Sequence, residues 1–299
     1  MNAAARDKWA EWLLERRDGG NEESARHTLE FLAPVRERVL EGARLADGET
    51  LLDVGCGDGL IGFGALERLG ERGRVVFTDV SQDLLDHCRS LAEELGVADR
   101  CEFVRASAQD LAQVEDASAD AVTTRSVLIY VPLPQKQRAF DEFFRVLKPG
   151  GRLSIFEPIN RFCWPEPEGR FLGFDVEPVS ALARKVRAVF ERASGDETLI
   201  DFDERDLLAF AERAGFGDVE LDLHAEIHQA GSLPWGTRSS WDVFVQSSGN
   251  PCAPTLAEAM DEALTPEERA RFEGHLRSLF DARAGTSRSA VAYLRALKS

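Results

Sequence analysis

The sequence predicts an α/β protein: a doubly wound, Rossmann-like, mostly parallel sheet with helices on both faces. Three observations carry this. Short apolar runs alternate with helical patterns five times between residues 48 and 158. The runs read as strands buried on both faces, as in parallel sheets covered by helices. A glycine-rich turn, "GCGDG" (55–59), directly follows the first run. At 299 residues, 43% hydrophobic and 30% charged, the chain can bury a full core as one large domain with additions.

Residues 8–17 and 23–43 are spaced as helices, with Pro34 expected to open the last of them at its first turn. "TLLDV" (50–54) is the first strand, and residues 60–69 return to helical spacing. "RVVFTDV" (74–80) is the second strand and carries Asp79 near its end. Ser81 caps the helix 82–95, and Gly96 stops it. "CEFVRAS" (101–107) and "ADAVTTRSVL" (119–128) are the third and fourth strands. A helix over 135–147 closes at "KPGG", and "RLSIFEP" (152–158) is the fifth strand. Ligands of such sheets sit beyond the carboxyl ends of the strands, where strand order reverses. The glycine turn, Asp79, Ser107, Arg125 and Glu157 all fall there.

After residue 160 the rhythm breaks. Residues 161–175 are aromatic and loop-like, and 178–194 form an amphipathic helix. Asp203 reads as the N-cap of a helix that Gly215 ends. In "DVELDLHAEIH" (218–228), Val219, Leu221, Leu223, Ala225 and Ile227 alternate with charged residues and histidines, as on a half-buried strand. Thr255 with Glu258, and Thr265 with Pro266 and Glu268, mark two capped helix starts. "SAVAYLRALK" (289–298) fits strand or helix. The divisions expected are a helical cap (1–45), the core (46–160), a lid insertion (161–199) and a core continuation (200–228). A second insertion of loop and two helices (229–287) and a last core strand (288–299) complete them.

The formal charge of −17 argues against nucleic acid, whose binding rests on Lys and Arg contacts. No apolar run approaches the length of about 20 residues that a membrane helix needs, and charges interrupt the first twenty positions. The five scattered cysteines form no C-x-x-C pair. The expectation is reduced thiols, a cytoplasmic protein without membrane or nucleic-acid partners, and a small-molecule substrate.

Two frames compete for the glycine turn. Gly57, Gly59 and Gly62 satisfy G-x-G-x-x-G, the dinucleotide fingerprint of an NAD-dependent dehydrogenase. That frame buries Asp53 inside a strand and sets Asp58 beside two phosphates, which is costly for unpaired carboxylates. In the other frame Gly55, Gly57 and Gly59 make the turn, Asp53 sits at the mouth, and Gly62 serves helix–strand packing. A ligand with a cationic centre then suits Asp53, Asp58 and Asp79. Asp79 is placed to accept ribose hydroxyls from either ligand.

"LLDVGCGDG", "VVFTDVS", "SAQDL", "ADAVTTRSVLIYV" and "RVLKPGGRLSIFEP", in that order and spacing, resemble the class I S-adenosylmethionine (SAM)-dependent methyltransferases. The branch is that of the ubiquinone/menaquinone-type and small-molecule enzymes. The resemblance covers about 48–160 and implies a seven-stranded sheet with N-terminal helices and a helical or loop lid. It implies that Asp53, Gly55, Cys56 and Gly57 wrap the methionine moiety, Asp79 binds the ribose, and Val80 lies against the adenine. The family's third strand usually supplies an acid to the adenine. Here Ser107 and Ala108 stand there, so a hydroxyl or backbone amide is implied instead. Arg125 and Ser126 match where the family meets the methionine end of SAM.

Methyl transfer from a sulfonium is an in-line displacement that rests on positioning and exclusion of water, so no base is obligatory. Glu157 can reach the substrate or hold a loop amide. Tyr130 can act in the site or pack in the core. His228, on the same strand face as His224 and Glu226, is a candidate base; that face is expected to be wet and no metal is expected. Arg125 can bind a carboxylate of SAM or of the acceptor. Trp12, Trp164 and Trp235, on lid segments, suit an apolar or planar acceptor. The competing function is a SAM-binding protein without methyl transfer.

Overall fold

The computed structural model describes residues 6–194, 197–232 and 240–299. The chain opens with α1 (Lys8–Glu11), a π-helical turn over Trp12–Arg16 and the long α2 (Glu22–Ala43). Then come β1 (Thr50–Val54), α3 (Leu60–Ala65), β2 (Arg74–Asp79), α4 (Gln82–Glu94), β3 (Cys101–Arg105) and β4 (Ala119–Arg125). The helix α5 (Leu133–Val146) leads into β5 (Leu147–Pro158). A two-stranded hairpin of β6 (Arg170–Phe171) and β7 (Phe174–Asp175) precedes α6 (Ser180–Ser194) and α7 (Glu204–Ala214). The remainder is β8 (Gly217–Ser232), α8 (Trp241–Gln246), α9 (Leu256–Ala263), α10 (Pro266–Asp281) and β9 (Gly285–Leu297).

Seven strands form one sheet in the order β3-β2-β1-β4-β5-β9-β8. The first five are parallel; β9 runs antiparallel to both β5 and β8. Strand order therefore reverses between β1 and β4. One face packs on α5 and α7 through Phe140, Phe143, Leu207 and Phe210. The other packs on α2, α3 and α4 through Leu40, Ile61 and Leu85. A separate apolar cluster, with Phe171, Phe174, Val186, Phe244, Met260 and Phe272, ties the small hairpin to α6 and α8–α10.

The caps follow the sequence. Ser81 accepts the Leu84 amide, and Asp203, Thr255 and Thr265 each close a reciprocal capping box. Gly215 ends α7 with φ 96°. Gly62 lies against Phe77: a Cβ there would sit 2.2 Å from the Phe77 ring, so only glycine lets α3 approach β2 this closely.

Two expectations are corrected. Pro34 does not open a helix; it lies inside α2. Both it and Glu30, whose carbonyl lacks the amide, are exposed, so that carbonyl is open to hydration. The strand over 218–228 is half-buried only at its start. Val219 and Leu221 meet the core, whereas Leu223 and Ile227 are 44% and 47% exposed. Ile227 lies where the β8–β9 pair outruns β5, and no helix among the described residues covers it; Leu223, level with Ala292 and Glu157, is exposed on the edge strand. "SAVAYLRALK" belongs to a strand, β9, paired along both edges.

Candidate active site

A cavity of about 1520 Å³ opens at the carboxyl ends of the strands, around the β1/β4 switch. Single-ligand sites usually hold roughly 300–1,000 Å³, so this one has room for two ligands side by side. One half is built by the turn after β1. Gly55, Gly57 and Gly59 all adopt left-handed backbone, with φ of 65°, 57° and 82°. A Cβ on Gly55 would strike the Val127 side chain at 2.3 Å. The turn is thus closed against the loop after β4, and Gly55 and Gly57 line the cavity with backbone.

Asp79, at the end of β2, also lines the cavity. Its Oδ2 accepts the Gly57 amide at 3.0 Å and its Oδ1 the Ser81 amide at 2.9 Å. Each oxygen keeps a lone pair for a ligand hydroxyl. Burial raises its pKa against the pull of these amides. Val80, Ser107, Ala108, Arg125, Ser126 and Tyr130 share the wall. Val80 is 41% exposed, leaving an apolar surface for a flat ring. Ser107 bridges to Asp110 and closes the turn after β3.

Arg125 is partly buried, and among the described residues its guanidinium has no hydrogen bond or ion pair. Desolvation pulls its pKa below the usual arginine range, only partly countered by Asp58 and Asp53. Asp58 meets Arg17 at 3.5 Å through Oδ2, while its buried Oδ1 has no partner.

Asp53 is a correction. It does not line the cavity; it is 2% exposed beneath the turn. Its Oδ1 accepts the Thr123 hydroxyl at 2.9 Å and its Oδ2 the Gly62 amide at 3.0 Å. It ties β1 to β4 and to α3, and burial pushes its pKa up to about 7. The Cys56 side chain is likewise buried behind the turn with Cys88, and that second thiol, together with burial, raises its pKa.

Glu157 is the second correction. It is fully buried and absent from the cavity wall. Its Oε1 accepts the amides of Val127 and Leu128 at 2.8 and 2.9 Å, and its Oε2 that of Ile129 at 3.3 Å. It anchors the loop that follows Arg125 and carries Ser126 and Tyr130 to the site. Burial raises its pKa to about 7 in spite of these donors.

Tyr130 packs edge-on against Trp9 at 4.9 Å between ring centroids, and burial holds its phenol neutral well above the usual range. Trp12 lines the cavity and donates its indole N–H to the Ser248 carbonyl at 3.0 Å. Trp164 lines the distal half, and His228 stands at the rim, 3.0 Å from Glu226. His224 lies elsewhere, 2.7 Å from Arg38. Trp235 lies outside the described residues.

Sequence reasoning missed Leu13 and Phe31 from the N-terminal helices and Arg288 from β9, all of which line the cavity. The last had a signal: a strand antiparallel to the others starts where they end.

Residues 51–151 match the model of a methyltransferase domain family. The ubiquinone/menaquinone biosynthesis C-methyltransferase UbiE of Brucella anthropi is 43% identical over 110 residues, 37% of this chain and 41% of that protein. UbiE of Escherichia fergusonii is 31% identical over 178 residues, 58% of this chain and 68% of that protein. The chain belongs to the class I SAM-dependent methyltransferases. A crystal structure of a putative methyltransferase from Bacillus halodurans superimposes with a TM-score of 0.53 at 18% identity, over 89% of this chain and 99% of that one, which shows the shared fold. As a member of this family the chain uses SAM as its cofactor. Among the described residues no helix is long and apolar enough to cross a membrane.

The residues present fit SAM. The cavity-lining guanidinium of Arg125, without an acceptor among the described residues, matches the carboxylate of an amino acid. Asp79 suits vicinal ribose hydroxyls, and Val80 with Ala108 suits a flat ring.

Proposed function

We propose that this protein transfers the methyl group of SAM to a small-molecule acceptor with an apolar or planar reacting part. The observation that carries the proposal is the double-size cavity: its glycine turn is cut for the cofactor, and Trp12, Tyr130, Trp164 and Phe31 also line its wall. When bound, SAM supplies an electrophilic methyl on a sulfonium. Gly55 and Gly57 admit it to backbone contact, Asp79 takes its ribose, and Ser107 or Ala108 meets its adenine edge. Arg125 and Ser126 hold the methionine end.

The chain's contribution to the chemistry is to position and dry the acceptor. Trp9, Trp12 and Leu13 close the cavity from the N-terminal side, held by the contacts of Trp9 with Tyr130 and of Trp12 with Ser248. Tyr130 keeps its proton, so it donates a hydrogen bond and does not act as a base. Glu157 acts only by holding the loop. His228 is the group at the rim that can take a proton from an acceptor that must lose one. The test is formation of S-adenosylhomocysteine (SAH) from SAM with a panel of phenols, quinols and arene amines, with mass detection of the methylated product. A methylated product supports transfer. SAM binding with no product from the whole panel favours a SAM-binding protein without methyl transfer.

A further inference from the structure

We propose that the acceptor carries an anionic group, a carboxylate or a phosphate, and that Arg288 binds it. This rests on the methyl-transfer reading above and names the class of acceptor. The pairing of β5 with β9 ends at Pro158 and Val291, whereas β8 and β9 stay paired to Ser232 and Gly285. The overhang of β9, Gly285–Ala290, rises roughly 20 Å beyond the end of β5 at about 3.3 Å per residue. Its residues Thr286, Ser287, Arg288 and Ser289 form the distal wall of the cavity. Arg288 is thus two strands away from Arg125, on the side of the cavity away from the glycine turn.

The backbone that presents Arg288 is pinned at three points. The Ala290 carbonyl accepts the Ile159 amide at 2.8 Å, and the Arg288 carbonyl accepts the Cys163 thiol at 3.4 Å. The Thr286 amide donates to the Gly173 carbonyl at 2.9 Å. The guanidinium has no hydrogen bond or ion pair among the described residues. The nearby acids are engaged elsewhere. Glu226 faces His228, and both oxygens of Glu166 accept backbone amides, of Leu172 and Gly173. Burial raises the pKa of Glu166 against the pull of these amides.

Arg170 and Arg283 line the same cavity. A planar guanidinium on a rigid strand, on the same face as its cross-strand partner Ile227, matches a carboxylate or a phosphate bidentately. The apolar surface of Trp164 and Ile227 beside it suits the body of the same molecule.

The test uses three probes with one aromatic body: 2-naphthoate, 2-naphthyl phosphate and the neutral 2-naphthamide. Each is titrated into the SAH-saturated protein by calorimetry. At least one anionic probe is expected to bind tenfold tighter than the amide, and which one identifies carboxylate or phosphate. Arg288→Gln is expected to erase that preference while leaving SAH affinity within twofold; Arg288→Lys restores part of it. Equal binding of all three probes, no binding of any, or a preference that survives Arg288→Gln overturns the proposal. A wild-type protein that binds no SAH overturns the methyl-transfer reading itself, and this inference with it.

Discussion

Removing Glu157 separates an anchor from a catalyst. In Glu157→Ala three loop amides lose their acceptor: Val127, which is part-buried, and Leu128 and Ile129, which are buried. An unsatisfied buried amide costs about 1–3 kcal/mol. Water can reach the part-buried one, so the two buried amides set the scale, roughly 2–6 kcal/mol. At about 2 °C per kcal/mol for a chain of this size, melting falls by roughly 4–12 °C. Glu157→Gln keeps one carbonyl for Val127 and Leu128 but turns an NH₂ toward the Ile129 amide, a loss of about 1–3 kcal/mol. The same loop carries Ser126 and Tyr130 and follows directly on Arg125 at the end of β4, so SAH affinity falls together with melting temperature in both variants. The assays are thermal unfolding and calorimetric SAH titration on the three proteins. Unchanged melting and unchanged SAH affinity in Glu157→Ala would refute the anchoring argument.

Gly62→Ala drives a Cβ into Phe77, which stacks on Phe103 at 5.2 Å, and is expected to destabilise by about 1–3 kcal/mol in urea unfolding. The pH dependence of stability follows from Asp53 and Glu157, both raised to about 7 when folded from ordinary values of 3.8 and 4.5. Between those limits the folded state binds more protons than the unfolded one, so their contribution is full below about pH 4 and is lost as pH rises to 7. Urea unfolding at pH 5 and pH 7 is expected to show a shallower decline in Asp53→Asn than in wild type. Asp79→Ala removes the ribose acceptor and frees the Gly57 amide; it is expected to abolish SAH binding with a folded circular dichroism spectrum.

The fold was legible because its signals are local. Alternating runs, four side-chain caps and the Gly215 stop each depend on a few neighbouring residues, and the structure holds them all. The Gly62 packing role was anticipated, but one ground for that frame fails: Asp53 is buried within β1 and finds partners in Thr123 and Gly62. Pro34 misled because a proline interrupts a helix only when its missing amide has no substitute, and exposure decides that. Asp53 and Glu157 misled for one shared reason. An acid near a strand end faces either the cavity or the amides of the next loop, and the loop's path settles which. For Asp53 the partners lie 9 and 70 positions away, and for Glu157 28 to 30. Exposure along β8 was illegible because period-2 alternation marks two faces without saying whether anything covers them.

The measurement that bears most directly on the account is calorimetric titration of the wild-type protein and Asp79→Ala with SAH and, separately, with NAD. The account expects SAH to bind wild type near micromolar affinity, about −8 kcal/mol, with no binding to the folded Asp79→Ala variant and none of NAD to either protein. Binding of NAD with no binding of SAH would contradict it, and would mean that Gly57, Gly59 and Gly62 hold a pyrophosphate after all.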